Sequence, residues 1–343
     1  MPNRSKSFVV AVVIAIFAVA VAAVALRGRL RCAGFPGPTV SADELPGLPP
    51  AADTLRVASW NLRNFPLDER PQDDDLGYSR RTNICDFETV LGGLDADLYG
   101  LQEVNDIRRF QPILKRACGE RVMQVRFSVG GGRFGQHLAI AWNDSVLELI
   151  GNPVEIADLV LEPGMRPAFA GYLRSRRDKG VDFTLVVVHL ESGLGNFADR
   201  RHQNRALVSW IGAWIDEIGD SDVVVLGDFN TAGSPRGGLE GELQSVDAIL
   251  GRAGLERLPS EIGCSSYWEG GGERNGFQQP SLLDHVFLGG FGIGAITTPL
   301  EAWLHCARWR CSEFISRPGE EDGTFWDVSD HCPLTFEIRD SVK

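Results

Sequence analysis

Apolar, β-type runs in this chain repeatedly stop on a polar or ionisable residue, and that recurrence limits the fold more than any other feature. Arg56-Val-Ala-Ser-Trp-Asn61 ends on an amide and Leu98-Tyr-Gly-Leu-Gln-Glu103 on a carboxylate. Val186-Val-Val-His189 ends on a histidine, and Val223-Val-Val-Leu-Gly-Asp228-Phe-Asn230 on an acid and an amide. Leu283-Asp284-His285 and Ser329-Asp330-His331 follow. Runs this apolar belong to strands buried on both faces. An isolated buried charge is costly, so these endings predict one polar site along a shared sheet edge. Its carboxylates would face a metal, another cation or one another.

Around these endings the chain alternates short strand-like and amphipathic stretches from residue 51 onward. Strands are expected over 56–60, 97–102, 122–128, 138–142, 168–174, 183–189, 223–226, 285–288 and 334–338. Helices are expected over 82–92, 107–118, 199–218 and 241–253. The third is the clearest, with Leu207, Trp210, Ile211, Trp214, Ile215 and Ile218 at helical spacing. Glycine-rich loops at 130–132 and 270–272 separate strands. Strands outnumber helices, so two sheets packed face to face with helices outside are expected.

The motifs Trp60-Asn61, Gln102-Glu103, His189-Leu190, Gly227-Asp228-Phe229-Asn230, Asp284 and Ser329-Asp330-His331 occur in this order. In these residues the sequence resembles the endonuclease/exonuclease/phosphatase superfamily, over roughly residues 56–338. The resemblance implies a four-layered α/β/β/α sandwich of two mixed β-sheets. It also implies a metal-dependent phosphoester hydrolase using Mg²⁺, with Mn²⁺ or Ca²⁺ as substitutes. Glu103 would be the main metal ligand, with Asn61 and Asp330 completing or ordering the site. Asp228 and Asn230 would align the attacking water. His189 and His331 would flank the phosphorus, with Asp284 bonded to His331; Asp228 and His331 are both candidates for the general base. In-line displacement at phosphorus needs an activated oxygen, neutralised phosphoryl charge and a protonated leaving group. One departure stands out: the stretch 129–141 lacks the glutamate that orients the first histidine in deoxyribonuclease-type members. Either Gln136 replaces it, or His189 mainly holds phosphate. Each residue alone has a duller reading, as a turn, a capped strand end or a core histidine. The six in order carry the functional one. His285 reads as structural, and His202 and His305 belong to no constellation.

Residues 8–26 are an unbroken apolar run of 19, preceded by Arg4 and Lys6. That length approaches a membrane span and exceeds the usual core of a signal peptide, yet Ala23-Val24-Ala25 resembles a cleavage site. Residues 1–31 therefore read as a signal peptide or a single-pass anchor. Residues 32–50, with five prolines, read as an extended linker, and 51–343 as the catalytic domain. Cys85, Cys118, Cys264, Cys306, Cys311 and Cys332 form an even set behind this leader, which favours disulfides and an extracytoplasmic location. Cys85 with Cys118 is one expected pair, leaving the four late cysteines to pair among themselves. No Cys-x-x-Cys doublet supports zinc.

The net charge is −12, and without residues 1–31 it becomes −17, from 29 Lys and Arg against 46 Asp and Glu. Such a surface disfavours tight passive binding of polyanions. Arg174, Arg176, Arg177 and Lys179 flank an expected hairpin turn. Arg200, Arg201 and Arg205 open the long helix just after His189, so Arg200 and Arg205 are candidate substrate contacts. Tyr267, Trp268 and Phe277 could stack on a base, dip into a lipid interface or pack beside Cys264. The leading expectation is a nuclease that holds nucleic acid transiently, exported or tethered to the membrane. The alternatives are a sphingomyelinase-like phospholipase, a phosphomonoesterase and a non-catalytic binding module. No obligate protein partner is implied.

Overall fold

The computed structural model describes residues 40–66, 82–129, 131, 135–260, 263–269, 277–292, 294–315 and 323–341. The expected leader and the glycine loop at 270–272 lie outside them. Among the described residues no helix is long and apolar enough to cross a membrane.

All nine expected strands form. In chain order, β1 (Thr54–Phe65), β2 (Leu98–Val104), β3 (Met123–Phe127) and β4 (His137–Asn143) come first. Then follow β5 (Leu147–Ile156), β6 (Ala168–Ser175), β7 (Asp182–His189), β8 (Val223–Asp228) and β9 (Glu256–Arg257). The last are β10 (Ser266–Glu269), β11 (Phe277–Ser281), β12 (Asp284–Gly289), β13 (Glu301–Ala302), β14 (Phe314–Ile315) and β15 (Leu334–Arg339). One six-stranded sheet runs β13-β15-β1-β2-β4-β3 and the other β5-β6-β7-β8-β12-β9. Both are mixed, with β1–β2 and β7–β8 parallel inside otherwise antiparallel ladders. β10, β11 and β14 form a small third sheet. β5 was not foreseen: it is an edge strand whose residues are largely half-exposed, so no apolar run marks it.

The helices are α1 (Ile84–Gly93), α2 (Ile107–Ala117), α3 (Phe197–Ile218) and α4 (Gly238–Leu250). Side-chain oxygens of Asn83 and Asp106 accept from the first free backbone N–H groups of α1 and α2, so both starts are capped. α3 stops at Gly219, which takes the left-handed conformation (φ 76°).

Three apolar layers alternate with the sheets. On β7, Leu185 and Val187 point into the middle layer with Val57, Leu98 and Leu226, whereas Val186 and Val188 point outward. The outward pair packs with Leu207 and Ile211 of α3 and Leu250 of α4. On the other side Trp60, Tyr99 and Leu101 pack with Phe87 of α1 and Phe110 of α2. Each strand is apolar throughout because it is covered on both faces, and the result is the expected four-layered α/β/β/α sandwich.

Two expectations change. Cys118 is a free thiol, whereas Cys85 is disulfide-bonded to a partner outside the described residues. They do not pair with each other. The late cysteines do pair among themselves, as Cys264–Cys311 and Cys306–Cys332. The folded unit also begins earlier than residue 51. Leu45 is buried against the α1–α2 layer, Glu44 pairs with Arg308, and the Leu48 carbonyl accepts from Arg56 Nη2 at 2.7 Å.

His285 is structural, as its position on the strand face away from Asp284 implied. Its Nε2 lies 2.8 Å from Thr231 Oγ1, and its ring meets Phe229 edge-on. Burial, helped by Arg257, pushes its pKa from 6.5 down to about 3. The unfolded chain therefore takes up this proton first as pH falls. The stability from neutral His285 is complete above pH 6.5 and drains away towards pH 3. The melting temperature of the wild type should accordingly fall more steeply from pH 7 to pH 4 than that of His285→Gln. Equal slopes in the two proteins would assign the acid sensitivity to other groups.

Candidate active site

Strand register assembles the site. Parallel pairing sets His189 of β7 opposite Asp228 of β8, and antiparallel pairing sets Asp284 of β12 opposite the same Asp228. In the other sheet Asn61 of β1 lies opposite Gln102 of β2, one residue before Glu103. Gly227 has φ 134°, and a Cβ there would sit 2.1 Å from the Val188 carbonyl oxygen, so glycine is required for Asp228 to arrive beside His189. Glu103 (φ 61°) and Asn230 (φ 52°) are non-glycine residues in the left-handed region. Such backbone is uncommon and concentrates at functional sites.

Asn61 joins the two sheets. Its Nδ2 donates to Glu103 Oε1 at 3.3 Å and to Asp228 Oδ2 at 3.0 Å. Glu103 Oε2 accepts from the backbone N–H of Asn64 at 2.7 Å. His189 Nε2 lies 3.6 Å from Glu103 Oε1 and 3.5 Å from Asp228 Oδ2. Burial holds the His189 pKa well below the usual imidazole value, and the charges of Arg166 and His331 push the same way. Its Nδ1 has no hydrogen-bond partner among the described residues. Gln136 therefore does not replace the absent glutamate: its Oε1 accepts from Arg166 Nη1 at 2.6 Å, and its Nε2 donates to Asn64. A neutral, unsupported His189 is suited to holding a phosphoryl oxygen.

Across the rim, Asp284 and His331 form a dyad, with His331 Nδ1 2.8 Å from Asp284 Oδ2. Burial works against charge on this imidazole. Asp284 and Asp228 outweigh it and raise the pKa well above the ordinary value. The other ring nitrogen, Nε2, lies 3.8 Å from Asp228 Oδ2. Burial raises Asp228 to about 7, while His331 acts in the opposite direction. Asn230 donates its backbone N–H to Asp228 Oδ1 at 2.8 Å and its side-chain amide to the Leu190 carbonyl. Ser265 Oγ donates to Asp284 Oδ2 at 2.8 Å and accepts the Asp284 N–H. Trp60 Nε1 donates to the His331 carbonyl, and Ser329 Oγ to the Asn61 carbonyl.

The donor set fits a hard divalent cation at Glu103 and Asp330. Burial raises the Glu103 pKa and Asp330 raises it further, and Asp330 Oδ1 has no hydrogen-bond partner among the described residues. A cation held by oxygen ligands relieves both conditions. Asp228, Asp284 and His331 also bring ligand atoms within 4.8 Å of one another. There, however, the Asp284–His331 hydrogen bond uses the ring nitrogen and favours the imidazolium, so the trio reads as proton-handling. His305, Cys306 and Cys332 cluster similarly, but both sulfurs are in the disulfide.

No family model and no curated protein matches the sequence. Solved structures do match the fold. The human Nocturnin catalytic domain aligns over 84% of this chain and 95% of its own at 18% identity, with a TM-score of 0.54. The 2',3'-cyclic phosphatase ANGEL2 aligns over 83% and 95% at 16% identity, with a TM-score of 0.54. An endonuclease/exonuclease/phosphatase family protein from Bacteroides thetaiotaomicron aligns over 84% and 98% at 17% identity, with a TM-score of 0.50. The chain has the endonuclease/exonuclease/phosphatase fold.

The structure brings Asn61, Glu103, His189, Asp228, Asn230, Asp284 and His331 together, and the charge of Asp330 reaches Glu103. It does not bring Arg200 there. Arg200 is 1% exposed; its Nε and Nη2 donate to Glu242 at 2.7 and 3.1 Å, and its Nη1 to the Glu191 and Gly193 carbonyls. Arg205 is exposed further along α3, with no hydrogen bond or ion pair to a site residue among the described ones. Arg174, Arg176 and Arg177 sit at the opposite end of β7 and pair with Asp182, Asp144 and Asp340. An arginine whose charge does reach the site is Arg166, in a Gly-Met-Arg-Pro loop whose sequence carries no such signal. Its charge reaches Glu103, Asp228 and Glu191. Removing one partner of a buried ion pair leaves the other uncompensated. Arg200→Met should thus lower unfolding stability by roughly 3–5 kcal/mol, whereas Arg205→Met should stay within about 0.5 kcal/mol. Urea denaturation measures both, and an unchanged midpoint in Arg200→Met would reopen a role for Arg200 at the substrate.

Proposed function

We propose that this protein is a divalent-cation-dependent phosphodiester hydrolase that acts by in-line attack of water. One observation carries the reading: the Asp284–His331 dyad and the Glu103–Asp330 carboxylates share one rim, linked through Asp228 and Asn61. Glu103 and Asp330, with Asn61 ordering them, would hold a cation of the Mg²⁺ type. When bound, such a cation neutralises phosphoryl charge and polarises the ester. His189, Arg166 and Asn230 orient the phosphoryl oxygens, while Asp228 and His331 hold and move the proton. The fold likeness is too distant to carry activity, so the chemistry rests on these side chains.

Export is part of the proposal, supported by the two disulfides and the apolar run at 8–26. Extracellular nucleic acid is the first substrate reading. A phospholipid is the second, favoured by the commitment of Arg200 to Glu242 and by an apolar cavity beside Asn230.

The full chain should hydrolyse at least one of plasmid DNA, RNA, sphingomyelin or bis(4-nitrophenyl) phosphate with Mg²⁺ or Mn²⁺, and EDTA should stop it. Glu103→Ala and His331→Ala should each lower turnover by about 10³-fold or more with circular dichroism unchanged. Titration with Mn²⁺ should show weaker binding in Glu103→Ala. Full activity in either variant would overturn the assignment of residues.

A further inference from the structure

Gln136 stands immediately before β4, is 4% exposed, and has both ends of its amide engaged. Its Oε1 accepts from Arg166 Nη1 at 2.6 Å, and its Nε2 donates to Asn64 Oδ1 at 2.8 Å. Arg166 fixes the direction of this chain, because a guanidinium only donates. The glutamine must therefore turn its carbonyl to Arg166 and its NH₂ to Asn64. Asn64 must in turn offer its oxygen, which also accepts from Asn105 Nδ2 at 3.5 Å. The backbone N–H of Asn64, a residue at φ 55°, donates to Glu103 Oε2 at 2.7 Å. Three hydrogen bonds thus run from Arg166 to Glu103. They cross between the sheets: Asn64 lies in β1 and Glu103 in β2, whereas Arg166 is in the loop that leads into β6. Arg166 has little other hold among the described residues. Its Nε is buried without a partner, and its Nη2 meets the Leu190 carbonyl only at 3.5 Å.

We propose that Gln136 is a positioning residue that joins the phosphate side of the rim to its cation side, fixing Arg166 and Glu103 through one neutral amide. The inference rests on the hydrolase reading above and adds a residue to it. Charge explains the use of an amide. A carboxylate at 136 would also accept from Arg166, but it would cancel the charge that the guanidinium offers a phosphoryl group. It would also bring negative charge towards Glu103. An apolar side chain would leave the buried Arg166 and the Asn64 amide without their partners. Glutamine has an acceptor at one end of its amide and donors at the other, so it meets both neighbours and adds no charge. The stretch 129–141, which gives His189 no carboxylate, thus carries a different tie.

The test compares the full chain with three variants, by Mn²⁺ titration without substrate and by hydrolysis of bis(4-nitrophenyl) phosphate. Gln136→Leu should weaken Mn²⁺ binding by roughly 10-fold or more and raise KM by a similar factor, the usual worth of a group that orients a ligand. Asn64→Gly, in which glycine keeps the positive φ, should weaken Mn²⁺ binding alone. Gln136→Glu should bind Mn²⁺ at least as tightly as the wild type while still raising KM. General loosening of the fold does not produce that split. Should Gln136→Leu not fold, the other two variants carry the test. Unchanged Mn²⁺ affinity in both Gln136→Leu and Asn64→Gly overturns the inference, and hydrolysis that EDTA still stops then leaves the hydrolase reading standing. Parallel losses of Mn²⁺ affinity and substrate affinity in all three variants also overturn it, in favour of a part in folding alone. If the wild type binds Mn²⁺ but hydrolyses no ester, weaker binding in Gln136→Leu and Asn64→Gly supports the tie to Glu103, and the hydrolase reading falls by itself.

Discussion

Close packing of the two sheets is the constraint on which the site depends. Gly100 of β2 lies against β8 so tightly that a Cβ would come within 2.2 Å of Leu226 Cδ1. That approach brings the end of β1 to the end of β8, where Asn61 can reach Asp228 from the other sheet. A larger spacing would open the middle apolar layer and separate the polar rim into two halves. The side of β1, β2 and β15 would keep Glu103, Asp330 and His331, and the side of β7, β8 and β12 would keep His189, Asp228 and Asp284.

Within the rim, low solvent access makes each charge depend on its neighbours. Asp284 and Asp228 raise the His331 pKa against burial, while burial first, and then the charges of Arg166 and His331, lower that of His189. Two histidines in one pocket are thus pushed in opposite directions, one by burial and the other by its carboxylate partners. His331 has a carboxylate on Nδ1, and Ser265 holds that carboxylate in place. His189 has no such partner, and this difference divides proton handling from phosphate holding.

Strand ends were readable from the chain because burial on both faces forces an unbroken apolar run, so the first polar residue after it marks the rim. Glu103, His189 and Asp228 were legible in that way, whereas Asn61 lies within β1 and Asp284 opens β12. Arg166 was not, since a single arginine in a loop has no periodicity and gains its meaning only from where β6 begins. Ser265 and the cavity beside Asn230 were hidden for the same reason. Arg200 misled because its place after His189 suggested the substrate, whereas Glu242, distant in sequence, had already claimed its guanidinium. Cys85 misled because two cysteines flanking a helical region can be near in sequence without facing each other. β5 lacked the apolar run altogether because it is an edge strand.

Both late disulfides touch the dyad through chain neighbours. Cys264 precedes Ser265, which holds Asp284, and Cys332 follows His331 directly, with its N–H donated to the Ser265 carbonyl. In a reducing compartment the same polypeptide would lack both cross-links, and the loops carrying Ser265 and His331 would lose their tethers.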